Sequence, residues 1–129
     1  EINSILDWEM CTIGDPLMDL GTSIAYWTMS NDHPVILNGL KSPTVFQGNP
    51  SRSKIVELYC KQTNTKIDDF VFYYVYGLFK IAVIVQQIFY RFKKGLTTNK
   101  KFSDLNKYAK VLCDTAWQSL QKKQIENLF

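Results

Sequence analysis

Four carboxylates, Asp7, Glu9, Asp15 and Asp19, fall in the stretch ILDWEMCTIGDPLMDLG from Ile5 to Gly21, and no Lys or Arg lies among them. Acids left without basic neighbours suit a hard cation. Mg²⁺ takes one or two carboxylates and fills its other positions with water and phosphate oxygens. Asp7 follows directly on the strand-like stretch Ile2–Leu6. A carboxylate at the end of a buried strand is held rigidly with its head exposed, which fits it to hold such an ion. Glu9, two positions on, would share a face with Asp7 if the strand continued, as a further ligand or as support. Spacing alone leaves a second reading open, in which both are exposed acids at a strand end.

The elements that must position these acids follow from turn signals and periodicity. Ile2–Leu6 reads as a short strand. Gly14-Asp15-Pro16 is a helix start: Asp15 can accept from free N–H groups, and Pro16 lacks the N–H that a first helical residue leaves unpaired. Leu17, Leu20, Ile24 and Trp27 then continue a helical stripe over 16–29. Residues 30–50 hold three prolines and two glycines and read as a long surface loop of the kind that lines a site or meets another part of a protein. Asn49-Pro50 repeats the start signal for a helix to Gln62, with Ile55, Val56, Leu58 and Tyr59 on its apolar side. Asp68 opens the longest segment, to Lys94, with Gly95 as a left-handed stop. Ser103 caps a last helix to Gln124, along the stripe Leu105, Tyr108, Leu112, Ala116 and Leu120.

The segment 68–94 is apolar on nearly every side and long enough to span a bilayer. Lys80 near its centre and the pair Gln86-Gln87 are costly in lipid, so the expectation is a helix surrounded by other helices, with no membrane role. A membrane-anchored helical protein is the rival that this segment alone would support. Gly77 weakens a helix by ~1 kcal/mol against Ala, which predicts a close helix contact there. Tyr73, Tyr74, Tyr76, Phe79, Phe89, Tyr90 and Phe92 are expected to pack in the core and at helix contacts. Lys80, Gln86 and Gln87 either face a cleft or reach solvent.

The bulk composition fits this picture. The chain has 129 residues, 46% hydrophobic and 14% aromatic, enough for a real core. Residues 1–40 carry six acids and no Lys or Arg, whereas the rest holds all 15 basic residues and the other six acids. The basic residues are scattered among apolar helical positions and read as solvated helix faces rather than a nucleic-acid surface. Cys11, Cys60 and Cys113 are too widely spaced for a zinc site, which predicts reduced, mostly buried thiols in a cytoplasmic protein. The chain starts with Glu1 at a strand-like run and without a signal peptide, so an upstream portion is expected.

The run from Asp7 to Gly21 closely resembles the second half of the active-site signature of the aminoglycoside phosphotransferase-like family. It is nearest the branch fused or linked to acyl-CoA dehydrogenases, whose pattern is D-W-E-x-x-x-x-G-D-P-x-x-D-L-G. The resemblance implies a protein-kinase-like fold. This chain would be its mainly α, helical C-terminal lobe with a short N-terminal strand segment, a single partial domain over 1–129. Asp7 takes the place of the aspartate that holds Mg²⁺ across the phosphates of ATP, or of another nucleoside triphosphate. Glu9 stands where related enzymes have an acid near the metals. Asp15 matches an aspartate that helix capping already explains. Asp19 matches the aspartate that braces the catalytic loop, and Trp8 replaces a packing phenylalanine. Tyr26 and Trp27, on the helix that follows directly, are candidates for the substrate pocket beside their reading as core.

The family's catalytic loop, an H-G-D-x-x-x-x-N-like run, has no match here. The one histidine, His33, is followed by Pro34 and makes a poor general base. The glycine-rich loop and phosphate-binding lysine of the N-terminal lobe are also absent. The resulting expectation is a fragment of a phosphotransferase, inactive alone, completed by the missing N-terminal lobe of the same protein. The parent would pass the γ-phosphoryl group to a small-molecule hydroxyl, with a hydroxylated acyl-CoA-type metabolite favoured over an aminoglycoside-like or choline-like acceptor. The alternative is an inactive helical binding or assembly module of the same fold.

Overall fold

A computed structural model describes residues 2–4, 6–7 and 11–129. Asp15 accepts the Leu17 N–H at 2.9 Å and Pro16 occupies the first turn, so the first helix, α1, runs Pro16–Tyr26. It stops short of Met29 because Trp27 turns extended, and its carbonyl accepts from Arg52 Nε at 2.9 Å instead of continuing the helix.

The long loop contains structure of its own. Pro34 starts a short helix, α2 (Pro34–Leu40), and His33 caps it by accepting the Val35 N–H on Nδ1 at 3.2 Å. Histidine is not a usual cap, so the signal was easy to miss. A single 3-10 turn follows at Pro43–Val45. Helix α3 (Arg52–Thr63) is capped by Ser51, whose hydroxyl accepts from Lys54 N at 3.3 Å. Asn49 instead ties the loop together through Pro43 O and Phe46 O, both at 3.1 Å.

Helix α4 (Val71–Lys93) begins where Asp69 accepts the Val71 N–H at 2.8 Å. It ends as predicted on Gly95, at φ 72°, where Leu96 N donates back to Arg91 O at 3.0 Å. Helix α5 covers Leu105–Lys122, and the Ser103 hydroxyl donates to Asp104 rather than capping.

Helix α4 is the hub, with α1 on one side and α5 on another, and α2 rests on α5. Ile24, Leu78, Ile81 and Leu112 form the centre of the core, each at 2% exposure or less. Each stabilises the fold by roughly 1.5–3 kcal/mol through burial. The contact expected of Gly77 is present. A Cβ there would sit 2.5 Å from Gly21 O, and one at Gly21 would sit 2.3 Å from Tyr73 O. These two glycines let α1 and α4 meet backbone to backbone.

Three expectations need correction. No strand forms among the described residues. Residues 2–4 and 6–7 lack a ladder partner, and Ile2 and Leu6 are exposed; a lone extended segment has nothing to satisfy its N–H and C=O groups. The aromatic residues of α4 are not all core, because Tyr76, Phe79 and Tyr90 lie on its outer face with Lys80, Gln86 and Gln87. Among the thiols, Cys11 and Cys113 are exposed and Cys60 is half-buried. Helix α4 is also long and apolar enough by length and composition to cross a membrane, yet one face of it forms the centre of the helical core.

Candidate functional site

The acidic stretch meets the helices at Asp15. One of its carboxylate oxygens accepts the Leu17 N–H, and the other accepts the Tyr73 hydroxyl at 3.0 Å, so one side chain caps α1 and ties it to the start of α4. Donating to a carboxylate keeps the Tyr73 phenol protonated and raises its pKa; slight desolvation and the Asp15 charge act in the same direction. The Gly21–Gly77 approach lies one to two turns further along the same pair of helices.

Asp7 lies exposed before this cap, with φ 65°. Aspartate is one of the few residues that adopt this left-handed conformation. Glu9 and Trp8 lie outside the described residues. Asp19 stands in the first turn of α1, exposed to solvent. Tyr26, at the end of α1, is 43% exposed. Trp27 is half-buried, and its indole N–H donates to Pro50 O at 3.1 Å. Among the described residues no hydrogen bond joins the side chains of Asp7, Asp19, Tyr26 and Trp27 to one another. None of these residues, nor any others described, form a group of three or more His, Cys, Asp or Glu able to hold a metal. Mg²⁺ can take a single exposed carboxylate when phosphate and water fill its remaining positions, and Asp7 is exposed.

Beneath Trp27 lies a polar centre that the sequence reading missed. Arg52, 2% exposed, donates from Nη1 and Nη2 to the two carboxylate oxygens of Asp32, itself 8% exposed. It also donates from Nε to Trp27 O at 2.9 Å and from Nη1 to Ile125 O at 3.2 Å. Asp32 further accepts the Met29 N–H at 2.8 Å, and the guanidinium lies 5.3 Å from the Tyr74 ring centroid. One side chain thus gathers the end of α1, the loop after it, the start of α3 and the C-terminal tail. A signal was available: Asp32 is the only acid between Asp19 and Glu57. The Tyr74 hydroxyl above this pair has no hydrogen-bond partner among the described residues. Burial pushes its pKa up to about 12; nearby Arg52 opposes the shift and Asp32 adds to it.

Residues 1–52 match the model of the phosphotransferase enzyme family. Over 125 residues, 95% of the chain, it is 27% identical to acyl-CoA dehydrogenase family member 10 of Mus musculus, covering 12% of that protein. It is 31% identical to acyl-CoA dehydrogenase family member 11 of Gallus gallus over 118 residues, 86% of the chain and 15% of that protein. The human family member 11 is 29% identical over 120 residues, 92% of the chain and 15% of that protein. The chain therefore spans between 12% and 15% of the length of these relatives. No solved structure matches it. The mainly helical build agrees with a helical fragment of a kinase-like fold. The resemblance read from the motif is borne out: residues 1–52 match the phosphotransferase enzyme family, and the chain is similar along most of its length to proteins of the acyl-CoA dehydrogenase-associated branch.

Proposed function

We propose that this chain is the helical C-terminal lobe, one partial domain, of a cytoplasmic small-molecule phosphotransferase that moves the γ-phosphoryl group of ATP or another nucleoside triphosphate to a hydroxyl. One observation carries the reading: the match over residues 1–52 contains the whole Asp7-to-Gly21 run. Mg²⁺ would neutralise charge on the phosphates as the group leaves. Asp7 holds that ion by its exposed carboxylate, with Glu9 as a second ligand. Asp19, in the first turn of α1, braces a catalytic loop supplied by the upstream lobe of the same protein. Tyr26 and Trp27 border the acceptor; since the Trp27 N–H is engaged by Pro50, its contribution there is the indole face. The relatives' names favour a hydroxylated acyl-CoA-type acceptor, and neither nucleic acid nor a membrane enters the reading.

The test is transfer of labelled γ-phosphoryl from Mg²⁺-ATP to a hydroxylated acyl-CoA by the full-length parent and its Asp7→Ala variant. Metal stabilisation of a transition state is worth several kcal/mol, so the variant loses about 10³-fold or more in turnover. Turnover equal to the wild type would remove Asp7 from the metal.

A second reading rests on a different observation. The outer face of α4 exposes Phe72, Tyr76 and Phe79, as a helical binding or assembly module without activity would. That module predicts no Mg²⁺-dependent nucleotide binding by the parent.

A further inference from the structure

Between α2 and the α4–α5 pair lies a cleft of about 670 Å³, within the ~300–1,000 Å³ range of small-molecule sites. Its walls are mainly apolar, with Val35 from α2, Val85 from α4, and Leu105 with the Tyr108 ring from α5, and Asn38 of α2 is the polar residue among them. Gly39 makes the close approach of α2 possible, because a Cβ there would sit 2.6 Å from a Tyr108 ring carbon.

The rim has the opposite character. Lys41, Lys101 and Lys107 stand at it against one acid, Asp104. Lys107 is held by Asp104 at 2.7 Å, while Lys41 and Lys101 have no acidic partner among the described residues. Asp104 also sits at the N-cap of the 18-residue α5 but makes no capping bond, its carboxylate being turned to Lys107 and Ser103. The Asp104 carbonyl accepts from Lys107 N at 3.0 Å and Tyr108 N at 3.4 Å, so the start of a long helix stands at the cationic rim with no side-chain cap, and its dipole favours an anion there. Tyr108 lines the same cleft at 6% exposure, and its hydroxyl has no hydrogen-bond partner among the described residues.

We propose that this cleft binds an amphipathic anion, a small molecule with an apolar body and a carboxylate or phosphate head. The body lies along Val35, Val85 and Leu105, and the head meets Lys41, Lys101 and the start of α5. Charge complementarity selects this occupant over a neutral lipid, and the apolar walls select it over a free inorganic anion. The inference does not rest on phosphoryl transfer. Val85 lies twelve residues along α4 from Tyr73, the residue that bonds Asp15, which is roughly 18 Å at ~1.5 Å per residue.

The test is an amide chemical-shift titration of the 129-residue chain with decanoate, decyl phosphate and decanol below their aggregation limits. The expected result is saturable shifts at Gly39, Val85 and Leu105, with one or both anions binding about tenfold or more tightly than decanol. The tighter of the two anions identifies the head group. A Lys41→Asn/Lys101→Gln double variant, both positions being exposed, should keep its melting temperature and lose about tenfold in anion affinity with decanol unchanged. Shifts confined to Phe72 and Phe79 on the outer face of α4, equal binding of decanol, an unaffected double variant, or no binding at all would each overturn the proposal.

Discussion

Arg52 grips both carboxylate oxygens of Asp32 in the interior, and the same guanidinium donates to Trp27 O and Ile125 O. The pair joins three stretches that are distant in sequence, around Trp27–Asp32, Arg52 and Ile125, and Asp32 accepts a third hydrogen bond from Met29 N. Removing one partner leaves a buried charge without its counter-charge. Asp32→Asn should therefore cost about 3–5 kcal/mol, read from urea unfolding. A combined Asp32→Leu/Arg52→Met variant should recover much of that loss, because no charge is left buried. Equal stability of wild type and Asp32→Asn would show that the pair holds nothing together.

Gly21 and Gly77 set the distance between α1 and α4. Gly21→Ala places a Cβ 2.3 Å from Tyr73 O, a backbone atom that cannot move aside, and should destabilise by roughly 1–3 kcal/mol or more. Gly14→Ala is the control, since nothing lies within 4 Å of a Cβ there. Thermal melts of the two variants check the contrast, and equal melting temperatures would contradict the close crossing.

Asp15→Ala removes a helix cap and the Tyr73 contact together. The cap alone is worth about 0.5–2 kcal/mol. Tyr73 should also titrate at lower pH in this variant, because the carboxylate that raises its pKa is gone. Ultraviolet titration of the phenols, with Tyr73→Phe to identify the signal, reads the shift; an unchanged Tyr73 titration would show that the bond to Asp15 is not formed.

Tyr74 predicts the alkaline limit of the fold. Its phenol titrates at about 12 when folded against 10.0 unfolded, chiefly because burial penalises the charged form. A raised pKa contributes stability that is fully present below pH 10 and is lost as pH climbs towards 12. Tyr74→Phe should flatten this part of the stability–pH curve. At neutral pH it should change stability by no more than about 1 kcal/mol, since the hydroxyl it removes has no partner. Urea melts from pH 8 to 11.5 check both statements.

Much of this architecture was legible in the sequence, for local reasons. Asp15-Pro16 fixed the start of α1, Gly95 the end of α4, and Gly77 the place where another helix comes close, because each is a response to backbone geometry within a few residues. What escaped depends on distance. Asp32 and Arg52 are twenty positions apart and carry no local pattern. Helix α2 hid behind an uncommon His33 cap. The exposed side of α4 looked like core because hydrophobicity reports what a helix is made of and says nothing of how many of its faces find a neighbour. The expected strand over 2–6 is not seen in its described residues, 2–4 and 6, for a related reason, since pairing needs a second strand that the described residues do not supply. For the site itself, the sequence motif nominated Asp7, Glu9 and Asp19, with Asp15 read as a helix cap; Glu9 lies outside the described residues, and the structure adds to the Asp15 cap a second role as the tie to Tyr73.

The most direct test of the central claim is Mg²⁺-dependent binding of a fluorescent ATP analogue to the full-length parent and to its Asp7→Ala variant. With Asp7 as metal ligand, the wild type binds the nucleotide more tightly when Mg²⁺ is added, and the variant loses that enhancement while keeping its melting temperature. An identical Mg²⁺ enhancement in both proteins would contradict the account.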